Sequence, residues 1–343
     1  MESLQPLLGM TQKELERTAQ DSGMPAFVGR QLAHWIYGLR VEDFATMPGL
    51  SRKNREKLEA HYCVGRQQPA TEQKSADGTR KYAFNYGHGL KVESVLIPDK
   101  ERLTLCVSSQ AGCKMNCYFC ATGRQGFKAN LSADQILNQI ISLPLDKPTG
   151  PTPLTNIVFM GMGEPLDNFD AVLRSIEVLT APWGWNWSPK RITVSTVGKL
   201  PQLKELLDRT QVQIALSVHS ADPREREQIM PAQKAFPLQA VMRVLKGYDF
   251  AHQRRLSLEY IMWRNVNDDL AHAERLAKLI GDIPCRVNLI PFHPVAGVEL
   301  QPSSEEKMII FRNYLNSHGI LSTIRTSRGL DIDAACGMLA GKS

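Results

Sequence analysis

Short β-prone runs alternate with helical runs along most of the chain, and this alternation restricts the possible folds more than any other feature. From Thr104 onward, six runs, TLCVS, TNIVFMG, RITVST, VQIALSVH, SLEYIMW and RVNLIPF, are interleaved with amphipathic segments such as FDAVLRSIEVL and AHAERLAKLIG. Strands joined by helical crossovers run parallel in one sheet. The pattern therefore predicts an α/β fold, either a sheet or a partial barrel, with ligands at the carboxyl ends of the strands.

Two smaller units precede this region. Residues 1–65 predict short helices, TQKELERTAQ, AFVGRQLAHWIYGL and SRKNREKLEAHY, and Ser51 is a candidate N-cap of the third helix. Residues 66–98 contain two alternating runs, RKYAFNY and LKVESVLIP, and the turn-forming Gly87-His88-Gly89 between them indicates a β-hairpin. We therefore predict a helical, RNA-binding accessory domain at 1–65, a β-hairpin linker at 66–98 and a catalytic domain at 99–343.

The composition is that of a globular protein with a moderate basic excess. The chain has 343 residues, of which 43% are apolar, enough to form one large core. It contains no run of roughly 20 apolar residues and begins without the features of a signal peptide, so we expect a cytoplasmic protein without membrane contact. The formal net charge of +6 favours a polyanionic partner. Residues 51–66 carry a local basic excess, which either a solvated helix face or an RNA-backbone contact would explain.

Three cysteines follow the first predicted strand at the spacing C-x3-C-x2-C: Cys113, Cys117 and Cys120. The chain has seven cysteines, an odd number that does not suggest a disulfide framework. Three thiolates on one loop can hold a [4Fe–4S] cluster and leave the fourth iron for the amino and carboxylate groups of S-adenosylmethionine. Structural zinc is the alternative, but it needs a fourth ligand that this loop does not supply. We favour the cluster and expect Tyr118 and Phe119 to shield it.

Six longer strings occur in a fixed order: LCVSSQAGCKMNCYFCATG, FMGMGEPLDN, VSTVG, LSVHS, VNLIPF and DIDAACG. Together they resemble the dual-specificity RNA adenine-C2 methyltransferase family of radical S-adenosylmethionine enzymes, over roughly residues 80–340. The resemblance implies a partial (β/α)6 TIM-like radical SAM barrel that binds a [4Fe–4S] cluster and S-adenosylmethionine. It also implies methylation of carbon 2 of an adenine in 23S rRNA and in tRNA beside the anticodon. We expect a monomer that receives electrons from a flavodoxin or ferredoxin system.

The resemblance also assigns cofactor contacts to residues at the ends of the predicted strands. Gly163 and Glu164 match positions that bind the methionine portion of the cofactor, where a carboxylate can accept a hydrogen bond from the α-amino group. Further contacts are implied at the ends of the third and fourth strands: Ser195, Ser217, Val218 and His219. His293 stands where the family commonly has asparagine. Its imidazole can still donate to a ribose or carboxylate oxygen, or it simply shapes a loop between two prolines.

Two cysteines outside the loop match the catalytic pair of the family. By resemblance, the Cys336 thiolate takes a methyl group from one S-adenosylmethionine. A radical made from a second molecule then removes a hydrogen from that methyl group, so that it can add to carbon 2. After Glu93 accepts the carbon 2 proton, Cys106 attacks the Cys336 sulfur and releases the methylated adenine as a disulfide forms. Cys63 and Cys285 match no motif and are predicted to be structural.

Two other functions are compatible with these patterns. A related group of enzymes methylates carbon 8 of the same ribosomal adenine, although the proline of GMGEPLDN and the LIPF segment favour carbon 2. A non-catalytic RNA-binding protein with a structural metal would instead require four saturating ligands and would not cleave S-adenosylmethionine.

Overall fold

The computed structural model describes residues 4–144, 153–252 and 254–340, so the predicted domain limits at residues 1 and 343 lie outside it. Its amino-terminal unit consists of helices closed by two short parallel strands. The elements are β1 (Gln5–Pro6), α1 (Gln12–Asp21), α2 (Ala26–Ala33), α3 (Arg52–Glu59) and β2 (Tyr62–Cys63), with a π-helical turn at His34–Gly38 after α2.

Local sequence explains where these helices begin and how they cross. Thr11 and Glu14 form a reciprocal capping box at the start of α1. Ser51 caps α3 by accepting a hydrogen bond from a backbone N–H of the first turn, which confirms its predicted role. Gly29 allows α2 to cross α1 closely, because a Cβ at this position would lie 2.3 Å from the backbone of Glu16.

The amino-terminal unit packs against the outside of the catalytic domain. The guanidinium of Arg66 donates to the carbonyl of Arg40 (2.5 Å) and to that of Ile141 (3.0 Å) on the catalytic side. Glu14 forms an ion pair with Arg174 across the same interface. Arg66 belongs to the basic segment for which we considered RNA contact, but only 9% of its side chain is exposed. This residue therefore joins the two units and is not available to RNA.

Three antiparallel strands lead from the amino-terminal unit into the catalytic domain: β3 (Thr71–Lys74), β4 (Arg80–Asn85) and β5 (Lys91–Asp99). β4 and β5 form the predicted hairpin, and Gly87, His88 and Gly89 in its turn all have positive φ. β5 also pairs antiparallel with β6 (Arg102–Cys106). The sheet therefore runs without interruption across the predicted domain boundary at residue 99.

A short antiparallel pair follows β6, formed by β7 (Gln110–Gly112) and β8 (Phe127–Asn130), with the one-turn helix α4 (Ala121–Arg124) between them. The remaining strands continue the large sheet in parallel and in chain order beside β6: β9 (Asn156–Phe159), β10 (Ile192–Thr196), β11 (Gln213–Ser217), β12 (Leu256–Met262), β13 (Arg286–Pro291) and β14 (Leu321–Ile324). This arrangement confirms the predicted partial barrel. β14 adds a parallel strand beyond the six that the sequence pattern predicted.

Helices on the outside connect these strands: α5 (Ala133–Ile141), α6 (Phe169–Thr180), α7 (Gln202–Arg209), α8 (Pro223–Ile229), α9 (Leu238–Leu245), α10 (Leu270–Ile280) and α11 (Glu305–Ser317). None of the helices in the described ranges is long and apolar enough to cross a bilayer.

Side chains of the parallel strands alternate between the helix-facing core and the interior of the barrel. Val287 and Leu289 on β13 and Val194 on β10 are fully buried in the core. Their neighbours Asn288 and Thr193 face inward and line a cavity of about 840 Å³. A closed barrel of this type fills its interior with branched apolar side chains. The polar inner wall instead leaves a cavity of the size that holds a ligand.

Candidate active site

The three predicted cluster ligands lie on the loop between β7 and β8. Cys113 and Cys117 are buried, Cys120 is half-buried, and all three are free thiols. The N–H of Cys113 donates to the carbonyl of Gly126 (3.1 Å), which closes the base of the loop. Gly112 has a φ of +75°, and a Cβ on it would lie 1.9 Å from the same carbonyl oxygen. Only glycine therefore permits the backbone crossing that positions the first cysteine.

These thiols fit a multi-iron cluster. Burial raises the pKa of Cys113 to about 12 and that of Cys117 well above its ordinary value, and the neighbouring thiols of the group raise both further. Three thiolates side by side, two of them buried, require a positively charged group, which an iron–sulfur core supplies. Thiolates on a single zinc ion crowd to about 3.8 Å from one another. Within the described residues, no three His, Cys, Asp or Glu side chains are arranged to hold a single ion.

Aromatic side chains surround this loop. The ring of Phe119 packs edge-on against His219, with centroids 4.8 Å apart, and lies 5.2 Å from the ring of Trp263. Tyr118 lies at the rim, where the guanidinium of Arg124 is 5.6 Å from its ring centre. Phe119 thus separates the loop from the barrel interior, in keeping with the shielding role predicted for it.

The GMGEP turn after β9 packs tightly against the segment that precedes the cysteines. Gly163 has a φ of +101°, and a Cβ on it would lie 2.6 Å from the side chain of Gln110. Glu164 is buried, and its carboxylate accepts hydrogen bonds from the N–H of Leu166 (3.1 Å) and of Val197 (3.0 Å). Burial raises the pKa of Glu164 to about 7. The Thr196 side chain also donates to this carboxylate. A carboxylate has about four acceptor positions, so one stays open to a cofactor amino group.

The other predicted cofactor contacts lie at the carboxyl ends of β10 and β11. Ser195 and Ser217 are half-buried, whereas Val218 and His219 are buried directly after β11. His219 has a φ of +60°, an unusual conformation for a residue with a side chain. Its Nδ1 accepts a hydrogen bond from the N–H of Ile261 (3.2 Å), and burial lowers its pKa to about 3. The ring is therefore neutral, and its Nε2 carries the proton.

His293 follows β13 and lines the same cavity as Cys336. Its Nε2 lies 2.5 Å from the hydroxyl oxygen of Ser327, in the segment that leads to Cys336. The imidazole therefore contacts this segment, as a loop-shaping residue would. The same position on the cavity wall also suits the predicted role as a ligand.

The two predicted catalytic cysteines come together although they are far apart in the sequence. Burial raises the pKa of Cys106 to about 12, and the nearby Cys336 raises it further. Cys336 is exposed to the cavity and also raises the pKa of Cys120. The carbonyl of Gly337 accepts a hydrogen bond from the N–H of Ala121 (2.7 Å), directly beside the cluster loop. Cys336 therefore lies between Cys106 and the cluster loop.

Glu93 occupies an interior position on β5, where only 1% of the residue is exposed. Its carboxylate lies 3.5 Å from the ammonium of Lys81 and accepts a hydrogen bond from the N–H of Ala340 (2.9 Å). Glu93 is therefore not a solvent-facing residue of β5. These contacts also place Glu93 beside the segment that carries Cys336, although Glu93 is not among the described residues that line the cavity.

Arg226 was not predicted to be a functional residue, because its segment, PREREQI, has the composition of a solvated helix. Its side chain is nevertheless fully buried. It donates hydrogen bonds to the carbonyls of Val197 (3.0 Å), Ser217 (3.0 Å) and Val218 (3.2 Å). It pairs with no described carboxylate, and a negative charge on nearby Cys117 raises its pKa against the effect of burial. Arg226 therefore places a buried positive charge beside the cluster loop and joins the strand ends that carry the predicted cofactor contacts.

The sequence also did not predict that Arg325 and Glu259 belong to the site. Their charged groups lie 3.7 Å apart inside the cavity. Although burial opposes it, charge on Cys336, Glu259 and Cys106 raises the pKa of Arg325. The available signal was the glutamate in the otherwise apolar strand SLEYIMW, because a carboxylate in such a strand requires a partner.

Comparisons with known proteins agree with this architecture. Residues 107–277 match the model of the radical SAM superfamily, and residues 5–64 match the ribosomal RNA large subunit methyltransferase N-terminal domain. The chain is 53% identical to a probable dual-specificity RNA methyltransferase RlmN of Parabacteroides distasonis, over 97% of this chain and 96% of that protein. It is 40% identical to the dual-specificity RNA methyltransferase RlmN of Pseudomonas putida, over 98% and 90% of the two chains.

A solved structure is also similar over nearly the whole chain. The crystal structure of a radical SAM methyltransferase from Sphaerobacter thermophilus is 34% identical, with a TM-score of 0.91, over 98% of this chain and all of that one. Enzymes of this superfamily use a [4Fe–4S] cluster and S-adenosylmethionine, which agrees with the donor set described above. By its sequence, both of its domain matches and its fold, the chain belongs to the RlmN family of RNA methyltransferases within the radical SAM superfamily.

Proposed function

We propose that this RNA methyltransferase modifies carbon 2 of adenine in 23S rRNA and of the adenosine beside the anticodon in tRNA. The observation that carries the proposal is the proximity of Cys336 to both Cys106 and Cys120 of the cluster loop, whose pKa values it raises. Carbon 2 of adenine lies between two ring nitrogens and is electron-poor, so it does not attack a sulfonium methyl group. A methyl carrier on the protein, placed beside a radical source, overcomes this difficulty.

The residues that would hold the cofactors surround this point. Cys113, Cys117 and Cys120 would ligate the cluster, and Glu164 behind Gly163 would accept a hydrogen bond from the amino group of S-adenosylmethionine. Polar groups at the strand ends would complete the contacts: Ser195, Ser217, Val218, His219 and His293. When bound, the cluster and S-adenosylmethionine supply the one-electron chemistry that removes a hydrogen atom from an S-methyl group.

Cys336 is the proposed methyl carrier. As a thiolate it forms a sulfur–methyl bond while the sulfonium carbon–sulfur bond of S-adenosylmethionine breaks and S-adenosylhomocysteine leaves. Arg325 lies close to this sulfur, because charge on Cys336 raises the pKa of the Arg325 guanidinium. Exposure of Cys336 to the cavity allows both the methyl donor and the base to reach its sulfur.

Glu93 and Cys106 would complete the reaction after the base is joined to Cys336 through the methylene carbon. Glu93 is the proposed acceptor of the carbon 2 proton, which leaves together with one electron that the oxidised cluster would take back, and Lys81 compensates the charge of Glu93 within the protein interior. Cys106 then attacks the Cys336 sulfur. A disulfide forms as the sulfur–carbon bond breaks, and the released carbon takes up a proton to become the methyl group. An external thiol reductant restores both thiols.

A covalent intermediate provides the sharpest test. We expect Cys106→Ala enzyme, purified from cells without oxygen, to carry RNA that remains bound in denaturing gels, because the adduct on Cys336 cannot be released. Cys106→Ala/Cys336→Ala should carry none. Cys285→Ala is the matched control, since Cys285 lies outside the site, and it should behave as the wild type. A Cys106→Ala protein free of crosslinked RNA would contradict the proposed pair.

Nucleoside mass spectrometry tests the position of the methyl group and the choice of RNA. Digests of 23S rRNA and tRNA treated with the reconstituted enzyme should contain 2-methyladenosine. Detection of 8-methyladenosine would assign the carbon 8 activity instead, and absence of 5′-deoxyadenosine would favour a non-catalytic protein. The monomeric state, the flavodoxin or ferredoxin donor and the cytoplasmic location stay predictions.

A further inference from the structure

We infer that phosphates of the RNA substrate bind four basic side chains at the amino-terminal mouth of the barrel, and that the target base reaches Cys336 through the barrel interior. The four residues, called the basic mouth below, are Arg102, Lys190, Arg255 and Arg286. The inference rests on the proposed function, because it identifies where that RNA substrate enters the enzyme.

The basic mouth is assembled from four parallel strands. Arg102 and Arg286 are the first residues of β6 and β13, Arg255 directly precedes β12, and Lys190 lies in the turn that leads into β10. All four line the same cavity as Cys336. One continuous space therefore joins the basic residues at the start of the strands with the catalytic thiol at the opposite end.

The charges of this cavity are unbalanced. Among the described residues, seven Lys or Arg side chains and two carboxylates line it. Arg328 pairs with Asp99 (3.5 Å), Arg325 pairs with Glu259 (3.7 Å), and Arg254 donates to a backbone carbonyl on α7. The side chains of the basic mouth form neither an ion pair nor a hydrogen bond with any other described residue. They are thus the cations of the cavity that remain available to a ligand.

The arginines of the basic mouth also lie close enough to repel one another. Burial lowers the pKa of half-buried Arg286, the positive charges of Arg255 and Arg102 lower it further, and the charge of Glu259 only partly opposes them. Like charges held together at the edge of a protein interior are unfavourable unless an anion lies between them. A phosphate diester backbone supplies several anionic oxygens at regular spacing, and arginine binds them in a bidentate geometry.

The dimensions of the cavity suit one nucleotide turned away from its strand. From Arg286 to Ile290, which both line the cavity, a strand of this type rises about 13 Å. The cavity volume of about 840 Å³ lies within the range of ligand sites. Enzymes that modify a base inside structured nucleic acid place it in such a pocket and hold the flanking backbone at the surface. Polar side chains along the wall can contact its edges: Asn156, Thr193, Gln213, Ser257 and Asn288.

The basic residues of the α3 segment are less suited to this role. Arg52 pairs with Glu56 (2.8 Å), Arg55 donates to the carbonyl of Ala45, and Lys57 donates to that of Gly23. Most of the local basic excess in the sequence is therefore engaged within the amino-terminal unit. The members of the basic mouth are scattered along the chain, and among the described residues none of their side chains has an ion-pair or hydrogen-bond partner.

Charge removal at the basic mouth tests the inference. The variant Arg102→Ser/Arg255→Ser/Arg286→Ser is compared with wild type in anaerobically reconstituted full-length enzyme, using an anticodon stem-loop RNA. We expect the dissociation constant at low salt to rise at least tenfold. The slope of log Kd against log salt should fall by about 2, because each lost single-strand phosphate contact contributes about 0.7. Iron content should stay at the wild-type level, and the melting temperature should not fall, because the three arginines repel one another in the folded protein.

Lys204→Ser/Arg209→Ser/Lys278→Ser is the matched control, since it removes the same charge from exposed positions on α7 and α10. The inference is overturned if both triple variants bind RNA equally well, or if the basic-mouth variant keeps RNA affinity and loses only reduction by a flavodoxin. The proposed function is judged separately by the methylated nucleoside that the wild type produces, so failure of one does not imply failure of the other.

Discussion

The carboxylate of Asp77 accepts a hydrogen bond from the backbone N–H of Gly329 at 2.9 Å, and this bond joins the β3–β4 turn to the segment that carries Cys336. A second carboxylate of the same contact, that of Asp331, accepts from the hydroxyl of Ser75 (2.6 Å). The antiparallel extension of the sheet therefore holds the start of the Cys336 segment. Its role in the structure is to restrict where the proposed methyl carrier can lie.

Loss of this contact should loosen the Cys336 segment without unfolding the barrel. We expect Asp77→Ala to lower the free energy of unfolding by about 1 kcal/mol, the usual net contribution of such a hydrogen bond at an exposed site. Deuterium exchange should accelerate at residues 329–337. Asp282→Ala is a suitable control, because Asp282 is exposed and pairs with Lys246 on the surface. Unchanged exchange in Asp77→Ala would show that the segment is held by its other contacts.

The same contact predicts that the contribution of Asp77 to the free energy of unfolding depends on pH in the acid range. Burial would raise the pKa of Asp77, but hydrogen bonds from Gly329 and Thr79 outweigh it and hold the pKa below its ordinary value. A carboxyl with a lowered pKa stabilises the folded state above its unfolded pKa of about 3.9, and this contribution is lost as the pH falls below that value. The difference in unfolding free energy between wild type and Asp77→Ala should therefore be constant above pH 5 and shrink below about pH 4. Urea unfolding at several pH values measures it.

Gly112 and Gly126 provide a matched pair for testing the cluster loop. Both have positive φ, +75° and +74°, so alanine strains either backbone by about 1 kcal/mol. At Gly112 the added Cβ would also meet the Gly126 carbonyl oxygen at 1.9 Å, whereas at Gly126 it would meet nothing within 4 Å. Gly112→Ala should bind much less iron after anaerobic reconstitution, while Gly126→Ala should bind nearly the wild-type amount. Equal iron content in the two variants would contradict the close approach of Gly112 to the carbonyl oxygen of Gly126.

Arg226 should influence both stability and the reduction potential of the cluster. Arg226→Met removes the side-chain donor to the carbonyls of Val197 and Ser217 and one of the two donors to that of Val218, so we expect a loss of about 3 kcal/mol in unfolding free energy. Removal of a buried positive charge should also make the cluster harder to reduce, by about 1 to 2 kcal/mol. Arg226→Lys keeps the charge and should retain most of the potential. An EPR-monitored redox titration separates the two variants, and equal potentials would limit Arg226 to a structural role.

Features that depend on neighbours in the chain could be predicted from the sequence. The C-x3-C-x2-C spacing, the cap at Ser51, the turn at Gly87-His88-Gly89 and six of the parallel strands are local patterns, and each follows from the conformational preferences of a few adjacent residues. β14 was missed because LSTI lacks the apolar run of the other strands: two of its four residues are polar, and Leu321 is exposed.

The site itself was decided by contacts between distant parts of the chain. The proposed pairing of Cys106 with Cys336 came from a resemblance, and nothing in their local sequence would bring the two together. Burial of Arg226, the ion pair of Glu259 with Arg325 and the gathering of the basic mouth arise only when parallel strands align their ends. The chain by itself thus determined which groups are present and the secondary structure that carries them. The tertiary structure alone decided which charges are left without a partner, because burial and pairing depend on what packs across the barrel.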